Sequence, residues 1–309
     1  MNLITKYDTS ARRIAAVGMY DGVHAGHRFL IDYLGVEAHS RGLVPSVVTF
    51  SRHPLTVVRP LEAPALLNTL DDRVRLLAEA GAHDIILLSF NDALRHMSAR
   101  EFLTLLRKKF AIEALVLGFN NHFGHDLIEG MEQYKAIGRE TGVEVIPAPE
   151  YRGPGAPVSS SVIRRHLTEG RPDEAARLLG SPYAIRGKVI NGKKLGRTLG
   201  FPTANLEMPP APILIPKPGV YAAYVTTPDG IRRPAVVNIG YRPTVSDTGS
   251  STRALSIEAH ILDFVGYIYD EEITIEFMKY LRSEKAFPTT ARLAEQVKED
   301  IADTRKLLR

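Results

Sequence analysis

The sequence predicts two unlike halves: an α/β half, with a parallel sheet covered by helices, and a small antiparallel β-barrel closed by a C-terminal helix. Three observations predict this. Up to Glu150, short β-branched runs alternate with stretches of helical period, the signature of βα units. Around Tyr151 the texture turns to the Gly/Pro/Ser-rich run RGPGAPVSSS. Beyond Ser181 the apolar period becomes two, with turn residues between the runs. The expected domains are residues 1–182 and 183–309, each of a size that holds its own core.

Taken in order, strands are expected at 14–19, 45–50, 84–89, 114–117 and 143–147. They are apolar enough to be buried on both faces of a parallel sheet. Helical periodicity falls between them, at 24–41, 70–80, 98–110 and 129–141. Ser98 followed by Glu101 fits a capping box, in which each side chain satisfies a free amide of the first turn. Two short helical pieces, 162–168 and 173–179, lead into the second half. There the strand-like runs are YAIRGKVI, GVYAAYVTT, IRRPAVVNIG, STRALSIEAHIL and EEITIEFMKYL. Turns are marked by Pro228-Asp229-Gly230 and Asp247-Thr248-Gly249. A last helix over 289–308 carries Leu293, Val297 and Ile301 at spacings of four. No internal repeat is evident.

Composition narrows the chemistry. With 309 residues, 44% of them apolar and 24% charged, the chain falls among globular proteins. No run approaches the ~18 to 20 apolar residues of a membrane span. The opening MNLITKYDTSARR has no apolar signal-peptide core. A cytoplasmic protein without a membrane partner is therefore expected. The absence of cysteine excludes disulfides, thiolate metal sites, iron–sulfur clusters and cysteine nucleophiles. Lys and Arg number 39 against 35 Asp and Glu, scattered along the chain. That slight excess suits phosphate ligands, and without a basic stripe no nucleic-acid partner is expected. Oligomeric state is not written in these features.

The first chemical constellation follows the first strand: Gly18-Met19-Tyr20-Asp21-Gly22-Val23-His24-Ala25-Gly26-His27. Open α/β sheets bind ligands at this place, outside the carboxyl ends of their strands. Gly22 and Gly26 let the backbone approach a phosphate, and the free amides of a helix start favour an anion. His24 and His27, three apart, share one helical face and can donate to charge building on an α-phosphate. The plainer alternative is a capping or packing pair. No third ligand nearby supports a metal site. Ser159-Ser160-Ser161 with Arg164 reads as a phosphate clamp beside this motif, and by itself as an N-cap cluster. His53 by itself reads as a structural histidine.

This segment resembles the G-x-F-D-G-V-H-x-G-H motif of the nucleotidyltransferase superfamily, in the form found in bacterial bifunctional riboflavin kinase/FMN adenylyltransferases. Other pieces of that module occur in order. Phe50-Ser51-Arg52-His53-Pro54 resembles F-x-x-H-P, which borders the flavin and nucleotide sites. Leu117-Gly118-Phe119-Asn120-Asn121-His122-Phe123-Gly124 resembles the G-x-[DN]-F-x-F-G loop and puts Asn120 at its polar position. Ser159-Ser160-Ser161-Val162-Ile163-Arg164 resembles S-S-T-x-I-R, whose hydroxyls and arginine hold ATP phosphates. The resemblance implies flavin contacts at Phe50, His53, Pro54 and Asn120. It implies nucleotide contacts at Gly18, Tyr20, Asp21, Gly22, Gly26, Ser160 and Ser161, and catalytic roles for His24, His27 and Arg164. The chain departs from the pattern at Tyr20, Ser161 and Asn121. It also departs after Gly124, where His125-Asp126-Leu127-Ile128-Glu129 replaces a stretch that usually carries a basic residue.

The second constellation lies in the expected barrel. Gly187-Lys188-Val189 leads into Gly192-Lys193-Lys194-Leu195-Gly196-Arg197-Thr198-Leu199-Gly200-Phe201-Pro202-Thr203-Ala204-Asn205. The glycines and lysines suit a flap over a nucleotide. Thr203 and Asn205, two apart, face the same way in an extended segment and offer oxygen donors to Mg²⁺. In the later strand, Ile257, Ala259 and Ile261 alternate with Glu258, His260 and Leu262. Glu258 can take the proton of a primary alcohol attacking a γ-phosphate, or pair across strands. The first run resembles the G-R-x-L-G-F-P-T-A-N signature of riboflavin kinases. Gly219-Val220-Tyr221-Ala222, Asn238-Ile239-Gly240-Tyr241-Arg242-Pro243-Thr244 and Ser256-Ile257-Glu258-Ala259-His260-Ile261-Leu262-Asp263-Phe264 match further motifs in order. Departures are Val245 in place of an aromatic residue and Tyr267-Ile268-Tyr269-Asp270 in place of a turn ending in Tyr-Gly.

Together the resemblances imply an α/β nucleotidyltransferase domain and a riboflavin kinase barrel in one chain. ATP and Mg²⁺ would serve both, with riboflavin, FMN and FAD as substrates and products. For the barrel they imply Glu258 as base, phosphate contacts at Gly187, Lys193, Gly196 and Arg197, and the metal at Thr203 and Asn205. Two rivals stand beside this reading: a nucleotidyltransferase for another phosphorylated acceptor with a binding barrel, and a non-catalytic flavin or nucleotide sensor.

Overall fold

The computed structural model describes residues 1–118, 122–126, 128, 130–154, 157–192, 195–208, 212–245 and 251–308. It divides into two compact units, Met1–Ser160 and Ser161–Arg309.

The first unit is built from β1 (Asn2–Ile4), β2 (Arg13–Val17), α1 (Ala25–Arg41), β3 (Val44–Phe50), α2 (Leu55–Val58) and a 3-10 turn at Pro60–Glu62. Then come α3 (Leu70–Glu79), β4 (Asp84–Leu88), α4 (Asp92–Arg95), α5 (Ala99–Phe110), β5 (Ile112–Leu117), α6 (Met131–Thr141) and β6 (Glu144–Pro147). The strands form one parallel sheet in the order β1-β4-β3-β2-β5-β6. All five residues of β2 are buried. One face of the sheet packs Val48, Ile86 and Leu115 against Phe102, Leu103 and Leu106 of α5. The other packs Val47 and Ile85 against Leu30, Ile31 and Leu34 of α1 and Leu77 of α3. The predicted capping box forms: Ser98 accepts from the Glu101 N–H while the Glu101 carboxylate accepts from Ser98. From β2 the chain runs to β3 on one side and β5 lies on the other, so the sheet's switch point opens beside β2.

The second unit begins one residue into α7 (Ser160–Thr168) and takes in α8 (Pro172–Leu179). It continues through β7 (Tyr183–Ile190), α9 (Leu195–Thr198), β8 (Ala204–Leu206), β9 (Gly219–Thr226), β10 (Arg232–Val245), β11 (Ser251–Ile261), β12 (Glu272–Arg282) and α10 (Thr290–Leu307). The six strands close a barrel in the order β10-β11-β8-β7-β12-β9. Its interior takes Val237, Ile239, Ile257, Ala259, Ile275 and Phe277, each fully buried. The alternation expected for the Glu258 strand is observed: Ile257, Ala259 and Ile261 are buried, while Glu258 and His260 are half-buried on the other face. Leu262 departs from it, buried just past the strand end. The expected turn at 247–249 lies outside the described residues.

The compact units part at Ser160, ahead of the 182/183 line drawn from texture, because α8 packs on β7 and β12. Leu167, Ala175, Leu178 and Leu179 are buried. Lys279 also pairs with Asp173 at 2.6 Å. Each buried leucine contributes about 1.5 to 3 kcal/mol. A fragment of residues 161–309 is therefore expected to unfold at a clearly higher temperature than one of 183–309 in circular-dichroism melts. Equal melting temperatures would show that the two helices add nothing to the barrel.

Candidate active sites

In the first unit, the turn between β2 and α1 is held in unusual backbone. Tyr20 and Val23 have φ of 53° and 39°, and Gly22 has φ of 86°. A β-branched residue at positive φ is strained, and such strain gathers where a turn must present groups to a ligand. Asp21 accepts the Leu67 N–H at 2.9 Å, and its carbonyl accepts the Ser160 hydroxyl at 2.8 Å. Its side chain therefore helps to build the turn. Arg73 is a residue that sequence reasoning missed. Buried to 1% exposure, it donates to the carbonyls of Met19 at 3.3 Å and Phe50 at 2.6 Å, fastening the ends of β2 and β3 together.

His24 is the N-cap of α1, its Nδ1 accepting the His27 N–H at 3.3 Å. The capping alternative is thus realised, and it puts the His24 proton on Nε2, as a donor. The two imidazoles stack with centroids 3.6 Å apart. Burial lowers the His24 pKa from its ordinary 6.5 to about 4. Burial, then the neighbouring His24, holds His27 well below its ordinary value too. Both rings are therefore neutral hydrogen-bond donors near pH 7. Tyr20 Oη and His27 Nδ1 are enclosed without a partner among the described residues, polar capacity of the kind a bound ligand satisfies.

This histidine pair carries a pH prediction. Groups whose folded pKa is depressed leave the fold at full strength above about 6.5, and stability is lost as pH falls from there toward about 4. His24 accounts for about 3 kcal/mol of that loss. Thermal melts between pH 7.5 and 4.5 should show the first unit losing stability more steeply in the unaltered chain than in His24→Gln. Parallel slopes would assign the acid sensitivity elsewhere.

Beside this turn a cavity of about 540 Å³ opens at the carboxyl ends of the strands. Val17, Gly18 and Met19 line it with Phe50, Pro54, Phe90 and Phe123. Phe50 and Pro54, read from the sequence as flavin contacts, both stand in this wall. His53 is not among the lining residues; its ring accepts the Leu55 N–H at 3.1 Å, a capping bond at the start of α2. Asn120 lies outside the described residues. Ser160 opens α7, Ser161 follows it exposed, and Arg164 sits half-buried one turn on.

In the barrel, β8 and β11 pair so that Asn205 stands opposite Glu258, and β10 and β11 pair so that Asn238 stands opposite Glu258 on its other side. Residues directly opposite one another share a face of the sheet. Thr203, two before Asn205, points the same way, and its hydroxyl lies 3.3 Å from the Glu258 carboxylate. Asn205 is buried. The three polar residues read from distant parts of the sequence therefore converge. Beside them a cavity of about 590 Å³ opens between the outward face of β10 and β11 and helix α10, with Glu258, Thr203 and Gly196 in its wall; Asn205 is not among its lining residues. Hydroxyl, amide and carboxylate oxygens form a hard donor set, which fits Mg²⁺. Gly187 is not among the residues lining this cavity; it lets β7 approach β8, where a Cβ would lie 2.9 Å from the Glu207 carbonyl. Lys193 and the Arg197 side chain lie outside the described residues.

The same cavity holds residues the sequence reading did not single out. Arg282, from the end of β12, makes two bonds to the buried Asp300 of α10, at 2.9 and 2.7 Å. Asn238 donates to Glu284 at 3.3 Å. His260 reaches the Pro202 carbonyl at 2.8 Å and meets Phe201 edge to face at 5.7 Å. A carboxylate on the inward face of a terminal helix, four residues from Gln296, was the one signal that pointed to Asp300.

Comparisons with known proteins agree with this division. A family model described as FAD synthetase matches residues 6–162, and one described as riboflavin kinase matches 179–308. A bifunctional riboflavin kinase/FMN adenylyltransferase of Pseudomonas fluorescens is 35% identical over 95% of this chain and 92% of its own length. The relative of the same name from Listeria monocytogenes is 35% identical, covering 96% and 93%. That of Escherichia coli K12 is 32% identical, covering 93% and 90%. A crystal structure described as a macrolide-efflux protein from Streptococcus pneumoniae superposes with a TM-score of 0.85 at 27% identity over 98% of both chains. Among the described residues no helix is long and apolar enough to cross a membrane.

Proposed function

The chain belongs to the family of bifunctional riboflavin kinase/FMN adenylyltransferases, and from that premise we infer how its residues share the two reactions. The enzyme phosphorylates riboflavin with ATP to give FMN, then adenylylates FMN with a second ATP to give FAD and pyrophosphate. The observation that carries the assignment of residues is the meeting of Glu258, Thr203 and Asn205 on one face of the barrel.

In the kinase reaction, Glu258 accepts the proton of the riboflavin primary hydroxyl as its oxygen attacks the γ-phosphate. Thr203 orients that carboxylate from 3.3 Å. Thr203 and Asn205 would hold Mg²⁺, which neutralises charge on the triphosphate when bound. A hollow of about 250 Å³ on the other flank of Thr203, walled by Phe264, Ile268 and Tyr269, suits an apolar purine face. The larger cavity is left for the flavin.

In the adenylylation, the FMN phosphate attacks the α-phosphorus of ATP, and pyrophosphate leaves. His24, through Nε2–H, and His27 donate to the oxygens on which charge accumulates. Their neutrality at pH 7 makes them dipolar donors that need no proton transfer. Gly18, Gly22 and Gly26 keep the backbone low beneath the phosphates. By the motifs in which they stand, Ser161 and Arg164 hold ATP phosphates in this reaction and Lys193 and Arg197 hold them in the kinase reaction; the use of ATP suits a cytoplasmic setting.

Purified protein incubated with riboflavin, ATP and Mg²⁺ should accumulate FAD, resolved by chromatography. FMN alone would mean that the first unit does not adenylylate. No product would favour a flavin or nucleotide sensor.

A further inference from the structure

The cavity of the first unit is largely apolar. Among its described lining residues only Arg95, His122 and His125 carry polar side chains, and none is acidic. The loop that carries the two histidines is held on a fixed frame. The His125 N–H donates to Met97 O at 2.9 Å, two residues beyond Arg95. Asp126 accepts the Ala99 N–H at 3.0 Å, tying the loop to the start of α5. Tyr134 Oη bonds both the N–H and the C=O of Phe123, at 3.1 and 2.9 Å. Gly124, at φ 92°, admits the close packing: a Cβ there would come within 2.6 Å of the Ala99 nitrogen. Among the described residues the Arg95 guanidinium makes only a long contact to Asp92, at 3.8 Å and exposed to solvent.

Resting on the adenylyltransferase reading, we propose that Arg95, His122 and His125 recognise the pyrimidine edge of the FMN isoalloxazine, donating hydrogen bonds to N1 and to the oxygens on C2 and C4. The ring's own shape matches the cavity: a flat apolar body with one electron-rich edge needs apolar walls and donors at one end. The alternative, that these bases hold the FMN phosphate, conflicts with the reaction. That phosphate must reach the α-phosphorus at the turn after β2, beside Gly18. Arg95 lies on α4, which follows β4, and β4 stands two strands from β2 in the sheet; the loop of His122 and His125 follows β5, next to β2, and its His125–Met97 bond ties it to the chain just beyond Arg95. Two strand spacings are about 10 Å. A phosphate gripped there would be out of reach, whereas a ring edge there leaves the ribityl chain to cross toward Gly18. His125 also supplies a donor in the stretch where the sequence departs from the motif it resembles.

The test is adenylylation of supplied FMN by the full chain, with lumiflavin as competitor; lumiflavin carries the ring without ribityl or phosphate and has no hydroxyl to phosphorylate. The double variant Arg95→Met/His125→Phe should raise the FMN KM by about tenfold or more, the scale of one lost charge-assisted hydrogen bond. The lumiflavin inhibition constant should rise by the same factor, with kcat at saturating FMN and the KM for ATP unchanged. Arg95→Lys should recover part of the loss. An unchanged FMN KM in the double variant overturns the proposal. So does a raised FMN KM with unchanged lumiflavin inhibition, which would assign the bases to the phosphate. If the unaltered chain forms no FAD from FMN, the adenylyltransferase reading itself fails, an outcome distinct from both.

Discussion

Glu258→Gln is expected to lower riboflavin phosphorylation by about 10²-fold or more, the scale of a lost general base, while adenylylation of supplied FMN continues at its normal rate. The substitution keeps the shape and the ability to accept a hydrogen bond from Thr203, which is 3.3 Å away. It removes the basicity alone. Glu258 is half-buried on the outer face of β11, away from the Ile257 and Ala259 side chains that fill the barrel, so the core is untouched. Separate assays of FMN formed from riboflavin and FAD formed from FMN check this in one preparation. Kinase turnover close to that of the unaltered chain would remove Glu258 as the base and leave it a structural partner of Thr203.

His27→Ala is expected to do the converse, cutting FAD formation from FMN by about 10²- to 10³-fold, the usual loss when one donor to a developing charge is removed. FMN should still form from riboflavin. His27 is the cleaner target of the two histidines. His24 also caps α1, so its removal mixes catalysis with a capping loss of about 0.5 to 2 kcal/mol. His27 caps nothing; it stacks on His24 and meets Tyr20 edge to face at 5.1 Å. Product analysis with FMN and ATP gives the answer, and undiminished FAD synthesis would make the two-histidine turn purely structural.

Much of this was legible along the chain. Short apolar runs became the strands of the parallel sheet within a residue or two, and the capping box at Ser98 formed as its two side chains dictate. What escaped had weak local signals. Strand β1 is three residues long with only Ile4 buried, and it exists because it pairs with β4. Asp21 and His53 stand in motifs that resemble ligand-binding ones, and the motifs do not show what else these side chains hold. Their bonds to the Leu67 and Leu55 amides are decided by how each loop folds back on itself. The apolar stripe of the last helix marked Leu293 and Val297, yet its most buried residues are Asp300 and Thr304. A carboxylate is admitted there because Arg282 meets it with two bonds.

The sequence by itself determined the two fold classes, the order of their elements and the motifs in which the candidate site residues stand. Periodicity, capping and turn formation depend on neighbours a few positions away, and the motifs are contiguous strings. Only the tertiary structure decided which strands close the barrel, that Thr203 meets Glu258, and which cations lie buried. Arg13 is satisfied by Asp84, 71 positions on, Arg73 by the ends of two strands, and Arg282 by a helix that follows the barrel. A buried charge is tolerable only where partners converge on it, and that convergence is a property of the closed sheet and barrel that no stretch of the chain contains alone.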